Sequence, residues 1–83
     1  MKKPLWWDWE LEITSHIEKR MIQRGFNEIE LRTMIQNAHK LISDKLQHRW
    51  CIQTHHKGRK WEVIIEPDFD DMCITVITAY PKE

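Results

Sequence analysis

The chain holds two glycines, three prolines, two cysteines and one tyrosine in 83 residues. So little glycine and proline excludes a collagen-like or low-complexity chain. A composition of 41% hydrophobic and 31% charged residues excludes intrinsic disorder. No run of eighteen apolar residues occurs, so no membrane-spanning helix is expected. Asp8, Glu10 and Glu12 follow the basic Lys2-Lys3 pair too soon for the apolar core of a signal peptide. Cys51 and Cys73 are too few for a disulfide framework, which makes a reducing cytoplasm the expected compartment. Neither C-x-x-C, H-x-x-x-H, a glycine-rich phosphate loop nor a serine elbow is present. His48, His55 and His56 cluster with Cys51, but on a strand Cys51 and His55 lie ~13 Å apart. Neither a metal nor a cofactor is expected, and the cysteines read as core residues.

What the chain has in excess is tryptophan. Five of them supply large buried surface to a single small domain near the lower size limit for unaided folding. Trp6-Trp7-Asp8-Trp9, part of a Trp-rich N-terminal extension over residues 1–12, is expected to close the bottom of the core rather than to stack on bases. The formal net charge is zero, with 13 basic and 13 acidic residues, yet the signs are segregated. Residues 40–60 carry Lys40, Lys45, Arg49, Lys57, Arg59 and Lys60 against Asp44. Residues 61–83 carry Glu62, Glu66, Asp68, Asp70, Asp71 and Glu83 against Lys82. Antiparallel pairing would interleave the two blocks in space.

Ser15-His16-Ile17-Glu18 fits a capping box, predicting a helix from His16 to Arg24 that stops at Gly25. Asn27 is a good N-cap for a second helix, with Glu28 and Glu30 in its first turn and His39 and Lys40 in its last. Leu31, Met34, Ile35 and Ala38 have the spacing of its buried face. After residue 40 the period becomes two. Arg49–His55 and Lys60–Glu66 read as a hairpin with Lys57-Gly58 at its tip. This register pairs Trp50 with Ile65, Ile52 with Val63 and Thr54 with Trp61 on an apolar face. The other face pairs Arg49 with Glu66, Cys51 with Ile64, Gln53 with Glu62 and His55 with Lys60. Pro67-Asp68-Phe69-Asp70-Asp71 is turn chemistry. The run Met72–Tyr80 is apolar on both faces for most of its length, as in a central strand covered on both sides, or covered by helices on one side and the Trp-rich N-terminus on the other. Glu10–Thr14 and Lys40–Leu46 read equally well as strands or as connectors. The order (β)ααβββ predicts an α+β domain with two N-terminal helices packed on a three- to four-stranded antiparallel sheet.

His16, Arg20 and Arg24 recur every four residues, which places them about 6 Å apart along one helix stripe. Two guanidiniums at that spacing suit adjacent phosphate oxygens, and His16 suits proton transfer. Thr78 and Tyr80 share a parity at the end of the last strand, where two hydroxyls suit a phosphate or a base.

The set His16-x-x-x-Arg20-Met21-x-x-Arg24-Gly25, Gly58-Arg59-x-Trp61-x-Val63 and Val76-Ile77-Thr78-x-Tyr80 resembles a small uncharacterised bacterial domain family grouped with RelE/ParE/BrnT-type toxins. The resemblance covers roughly residues 13–80, a RelE/BrnT-like core. It implies a RelE-like fold and a metal-independent ribonuclease in which a ribose 2′-hydroxyl attacks the adjacent phosphate. It carries over His16, Arg20, Arg24 and Tyr80 as catalytic candidates, with Thr78, Arg59, Lys60 and His55 against the substrate. The partners it implies are RNA, free or ribosome-bound, and an antitoxin protein. Two other classes stand beside this one: a non-catalytic module binding nucleic acid or protein, and an interaction protein whose edge strand pairs with another chain, a homodimer included.

Overall fold

The computed structural model describes residues 2–44 and 46–82. Met1, Lys45 and Glu83, two of which belong to the charge blocks above, lie outside the described residues. The elements are β1 (Glu10–Ile13), α1 (Ser15–Arg24), α2 (Glu28–Gln36), β2 (Lys40–Asp44), β3 (Arg49–His56), β4 (Arg59–Asp68) and β5 (Cys73–Pro81).

Helix α1 starts one residue earlier than the capping box suggested. Thr14 is its N-cap and accepts from the Ile17 amide, so Ser15 is already helical. The helix stops at Gly25, which takes the left-handed conformation at φ 71°, and the amides of Gly25 and Phe26 both return to the Met21 carbonyl. Helix α2 has the expected Asn27 cap, completed by Glu30 as a reciprocal capping box. It ends at Gln36, so His39 and Lys40 leave the helix and lead into β2 instead of filling its last turn.

The hairpin has the register expected from alternation, from Trp50 opposite Ile65 through Thr54 opposite Trp61 and His55 opposite Lys60. Arg49 and Glu66 form an ion pair at 3.5 Å. Lys57 and Gly58 both have positive φ, 50° and 77°, the two-residue turn whose twist suits a hairpin. At the other turn the Asp68 carboxylate accepts from the amides of Asp70 and Asp71.

The expectation of a three- to four-stranded antiparallel sheet is overturned. The sheet has five strands in the order β1-β5-β4-β3-β2, and it is mixed, because β1 runs parallel to β5. Both short runs that read equally well as connectors are strands, and both lie at the edges of the sheet. Edge strands are short and carry a weak periodic signal, and a parallel partner from the far end of the chain leaves none.

Both helices lie on one face of the sheet. The core there contains Ile17, Leu31, Met34 and Ile35 from the helices and Ile52, Val63, Ile65, Ile74, Val76 and Ala79 from the strands. The Trp-rich segment joins this same side. Trp6 stacks on Trp50 with ring centroids 5.4 Å apart, Trp7 is buried, and Arg32 of α2 donates to the carbonyls of Trp7 and Trp9. No described element covers the opposite face, so the expectation that the last strand is covered on both sides is overturned: the tryptophans pack beside the helices, against Trp50.

Strand β5 contains a bulge. Ile64 faces Thr78 while Ile65 faces Val76, so Ile77 has no opposite residue. The bulge shifts the alternation by one. Val76 and Ala79 both turn into the core, and Thr78 and Tyr80 both turn to the open face, opposite Ile64 and Glu62.

Thr54 is the buried polar residue of this core. Its hydroxyl donates at 2.6 Å to the Met34 carbonyl, in the last turn of α2 where carbonyls lack helical partners. The Thr54→Val variant keeps the volume and leaves that carbonyl unpaired. Its expected cost is about 1–3 kcal/mol, measured as a lower urea midpoint at unchanged m-value.

Candidate functional site

The open sheet face is lined by polar side chains from four strands. Alternation along the register places Glu10 and Glu12 of β1, Cys73, Thr78 and Tyr80 of β5, Glu62 and Glu66 of β4, and Cys51, Gln53 and His55 of β3 on that face. At its centre is Glu62. One carboxylate oxygen accepts from the Tyr80 hydroxyl at 2.7 Å. The other accepts from Gln53 Nε2 at 3.2 Å and from Lys82 Nζ at 3.4 Å. The Tyr80 bond is the main reason the Glu62 carboxyl titrates below its ordinary range.

The same bond acts in the opposite sense on Tyr80, whose hydroxyl is pushed up to about 12. Near neutral pH Tyr80 is a fixed hydrogen-bond donor and not a base. Burial, and then the charge of Glu62, push the Cys51 thiol up to about 11, so it stays protonated too. Cys73 beside Glu12 is also raised, burial first and Glu12 second. Both cysteines are half-buried on the open face and not core residues, and both are free.

At the hairpin end of this network lies a groove of about 160 Å³ lined by His39, Gln53, Lys60, Glu62 and Lys82. The groove therefore gathers one imidazole, two ammonium groups and one carboxylate. Outside it, the His55 ring packs against His39 with ring centroids 4.8 Å apart and planes tilted by 37°.

The residues singled out in the sequence fall into two groups. His55, Lys60, Thr78 and Tyr80 share the open face. His16, Arg20 and Arg24 lie on α1, on the other side of the sheet. Arg24 donates at 2.8 Å to the Ala79 carbonyl. Beyond Val76 β1 no longer pairs with β5, so this bond satisfies a strand edge with no other partner there. Arg20 bonds Gln23, and among the described residues His16 has no hydrogen-bond or ion-pair partner. Arg59 pairs with His56 at the hairpin tip, and His56 points inward against Phe26 and Trp61, 3.7 Å from Glu30. Among the described residues no three His, Cys, Asp or Glu side chains converge as a metal-ligand set.

Three members of the groove escaped the sequence reading: His39, Glu62 and Lys82. Glu62 was legible as the partner of Gln53 but not as a hub, because its other partners come from β5 and the segment after it. His39 was assigned to the end of a helix. The signal available for it was the alternation Lys40, Ile42, Asp44, which begins one residue later.

The Glu62–Tyr80 bond has a direct readout, since Tyr80 is the only tyrosine. Phenolate absorbance should titrate with a midpoint about 12 in the wild type. Glu62→Gln should bring it back toward the ordinary ~10. The signs for stability follow. Glu62, depressed in the fold, stabilises above its ordinary range, and that contribution is lost as pH falls through the folded value. Tyr80, raised in the fold, stabilises below its ordinary value and loses this as pH rises toward 12. Tyr80→Phe should flatten both arms of the stability profile, measured by denaturant unfolding across pH.

Comparison with known proteins places these elements in a family. No curated protein and no solved structure matches the chain. One family profile does, over residues 13–81, which run from the last residue of β1 through the last of β5. The chain belongs to the family described as a domain of unknown function, DUF4258.

Proposed function

We propose that the protein is a toxin-like, metal-independent ribonuclease of the RelE/ParE/BrnT group, acting in the cytoplasm at the groove lined by His39, Lys60 and Lys82, with His55 against His39. The observation that supports this is a pair of imidazoles with centroids 4.8 Å apart, of which His39 lines one groove with two lysines. Cleavage by the 2′-hydroxyl needs one group to take its proton and another to protonate the departing 5′-oxygen. The 2′-oxygen forms a bond to phosphorus, the bond to the 5′-oxygen breaks, and the products are a 2′,3′-cyclic phosphate and a 5′-hydroxyl. Imidazole gives or takes a proton near neutral pH, so His39 and His55 suit the two roles. Lys60 and Lys82 suit the charge that develops on the phosphoryl oxygens. Thr78 would donate a hydrogen bond to the RNA, and Tyr80, whose proton is held by Glu62, would accept one from a ribose hydroxyl. Arg59, exposed at the hairpin tip, suits a flanking phosphate. His16 and Arg20 on α1 are left for a second contact, with RNA, a ribosome or an antitoxin protein.

One observation favours a second reading. Glu62 already accepts from three donors, so the centre of the face resembles a static polar platform. A non-catalytic module binding nucleic acid or protein would use such a platform without chemistry.

Induced expression in a bacterial culture, with total RNA mapped for new ends, separates the readings. The ribonuclease reading expects growth arrest and new 5′-hydroxyl ends in the wild type. His55→Ala should lower the yield of ends by ~10²-fold or more, the usual contribution of a general acid or base, while His16→Ala keeps it. Normal growth with folded wild type, together with salt-dependent RNA binding and no product, would establish the binding module instead. Loss of ends in His16→Ala but not in His55→Ala would move the site to α1.

A further inference from the structure

We infer that β2 is a homodimerisation edge, at which two copies of this chain pair antiparallel and join their sheets into one. Among the described residues β2 is the last strand on its side of the sheet, and no described strand pairs with its outer backbone edge. An unpaired edge is a template for another strand, and proteins guard such edges with short strands, charged side chains, bulges or prolines. Strand β2 is five residues long and carries Lys40 and Asp44, charges that exclude a general partner but match a two-fold copy. Strand β2, Lys40-Leu41-Ile42-Ser43-Asp44, has no proline and no bulge in its pairing with β3.

The sequence of β2 fits a copy of itself. A two-fold axis through Ile42 sets Ile42 against Ile42 of the second copy. It sets Lys40 against Asp44 of the second copy, and Asp44 against its Lys40. Lys40, Ile42 and Asp44 share the open face, where cross-strand neighbours are in reach of one another. Each two-fold pairing then makes two opposite-charge pairs around an apolar centre. Ile42 is 42% exposed in the single chain, more than an edge isoleucine needs. On the helix side, Leu5 is 85% exposed and lines one groove with Leu41 and Trp50, rimmed by Lys2, Lys3 and Lys40.

The other edge of the sheet shows what a guarded edge looks like in this molecule. Strand β1 carries Glu10 and Glu12 on its open face, and pairing with a copy would bring like charges together. The charge pattern thus selects one edge, and it selects a second copy of this chain as its occupant. The inference is independent of the ribonuclease reading, since it uses no residue to which that reading gives a role.

Sedimentation of the intact chain from micromolar to near-millimolar concentration tests it. The wild type should pass from monomer to dimer over that range. Lys40→Glu places acid against acid and should weaken association at least ~tenfold, a small change in interaction free energy. The double variant Lys40→Glu/Asp44→Lys restores opposite charges in both pairs and should restore the dimer. Asp44 also accepts from the amides of Leu46 and Gln47, so circular dichroism and thermal unfolding must show each variant folded. Ile42→Lys, which leaves that turn untouched, should also give a monomer. A wild type monomeric throughout, or a dimer equally strong in Lys40→Glu and Ile42→Lys, overturns the inference.

Discussion

The bulge at Ile77 is the constraint on which both faces of the molecule depend. Strand β5 pairs with β4 along its whole length but with β1 only as far as Val76. Where the parallel partner ends, the strand takes up one extra residue. Val76 and Ala79 then both reach the helix-side core, and Thr78 and Tyr80 both reach the open face. Without the bulge, strict alternation would put Val76 on the same side as Thr78 and Tyr80, and either the core or the polar face would be broken. Arg24 completes the arrangement by bonding the Ala79 carbonyl at the edge that β1 leaves bare. The helix stripe and the strand end are thus coupled through the backbone, although their side chains face different ways.

The charge blocks of the sequence are mixed by the hairpin. Strand β3 comes from the basic block and β4 largely from the acidic one. Their register sets Arg49 beside Glu66 and Gln53 beside Glu62. Arg49 and Glu66 are both some 40% exposed, so that pair contributes little by itself. Its two charges offset one another, while Glu10 and Glu12 leave that end of the open face acidic. Toward the hairpin end the balance reverses, and Lys60, Lys82 and His39, which packs against His55, surround one carboxylate. A chain of zero net charge therefore still offers a local basic surface beside a hydrogen-bonded core of Glu62, Tyr80 and Gln53.

Local chemistry determined α1, α2 and the hairpin, because each is specified by residues close together in the chain. Gly25 and Asn27 mark helix ends through their own backbone and side-chain preferences. The Trp50–Ile65 register follows from a period of two with one apolar face. The shared face of His55 and Lys60, and of Thr78 and Tyr80, was legible for the same reason. The tertiary structure alone decided the rest. The parallel pairing of Glu10–Ile13 with Cys73–Val76 joins segments more than sixty residues apart and leaves no periodic trace. The bulge depends on where that pairing stops. The placement of the tryptophan segment on the helix side depends on Trp50 and Arg32 being there to receive it. The groove was hidden because His39, Glu62 and Lys82 come from three segments, and only the packed sheet sets their side chains around one space.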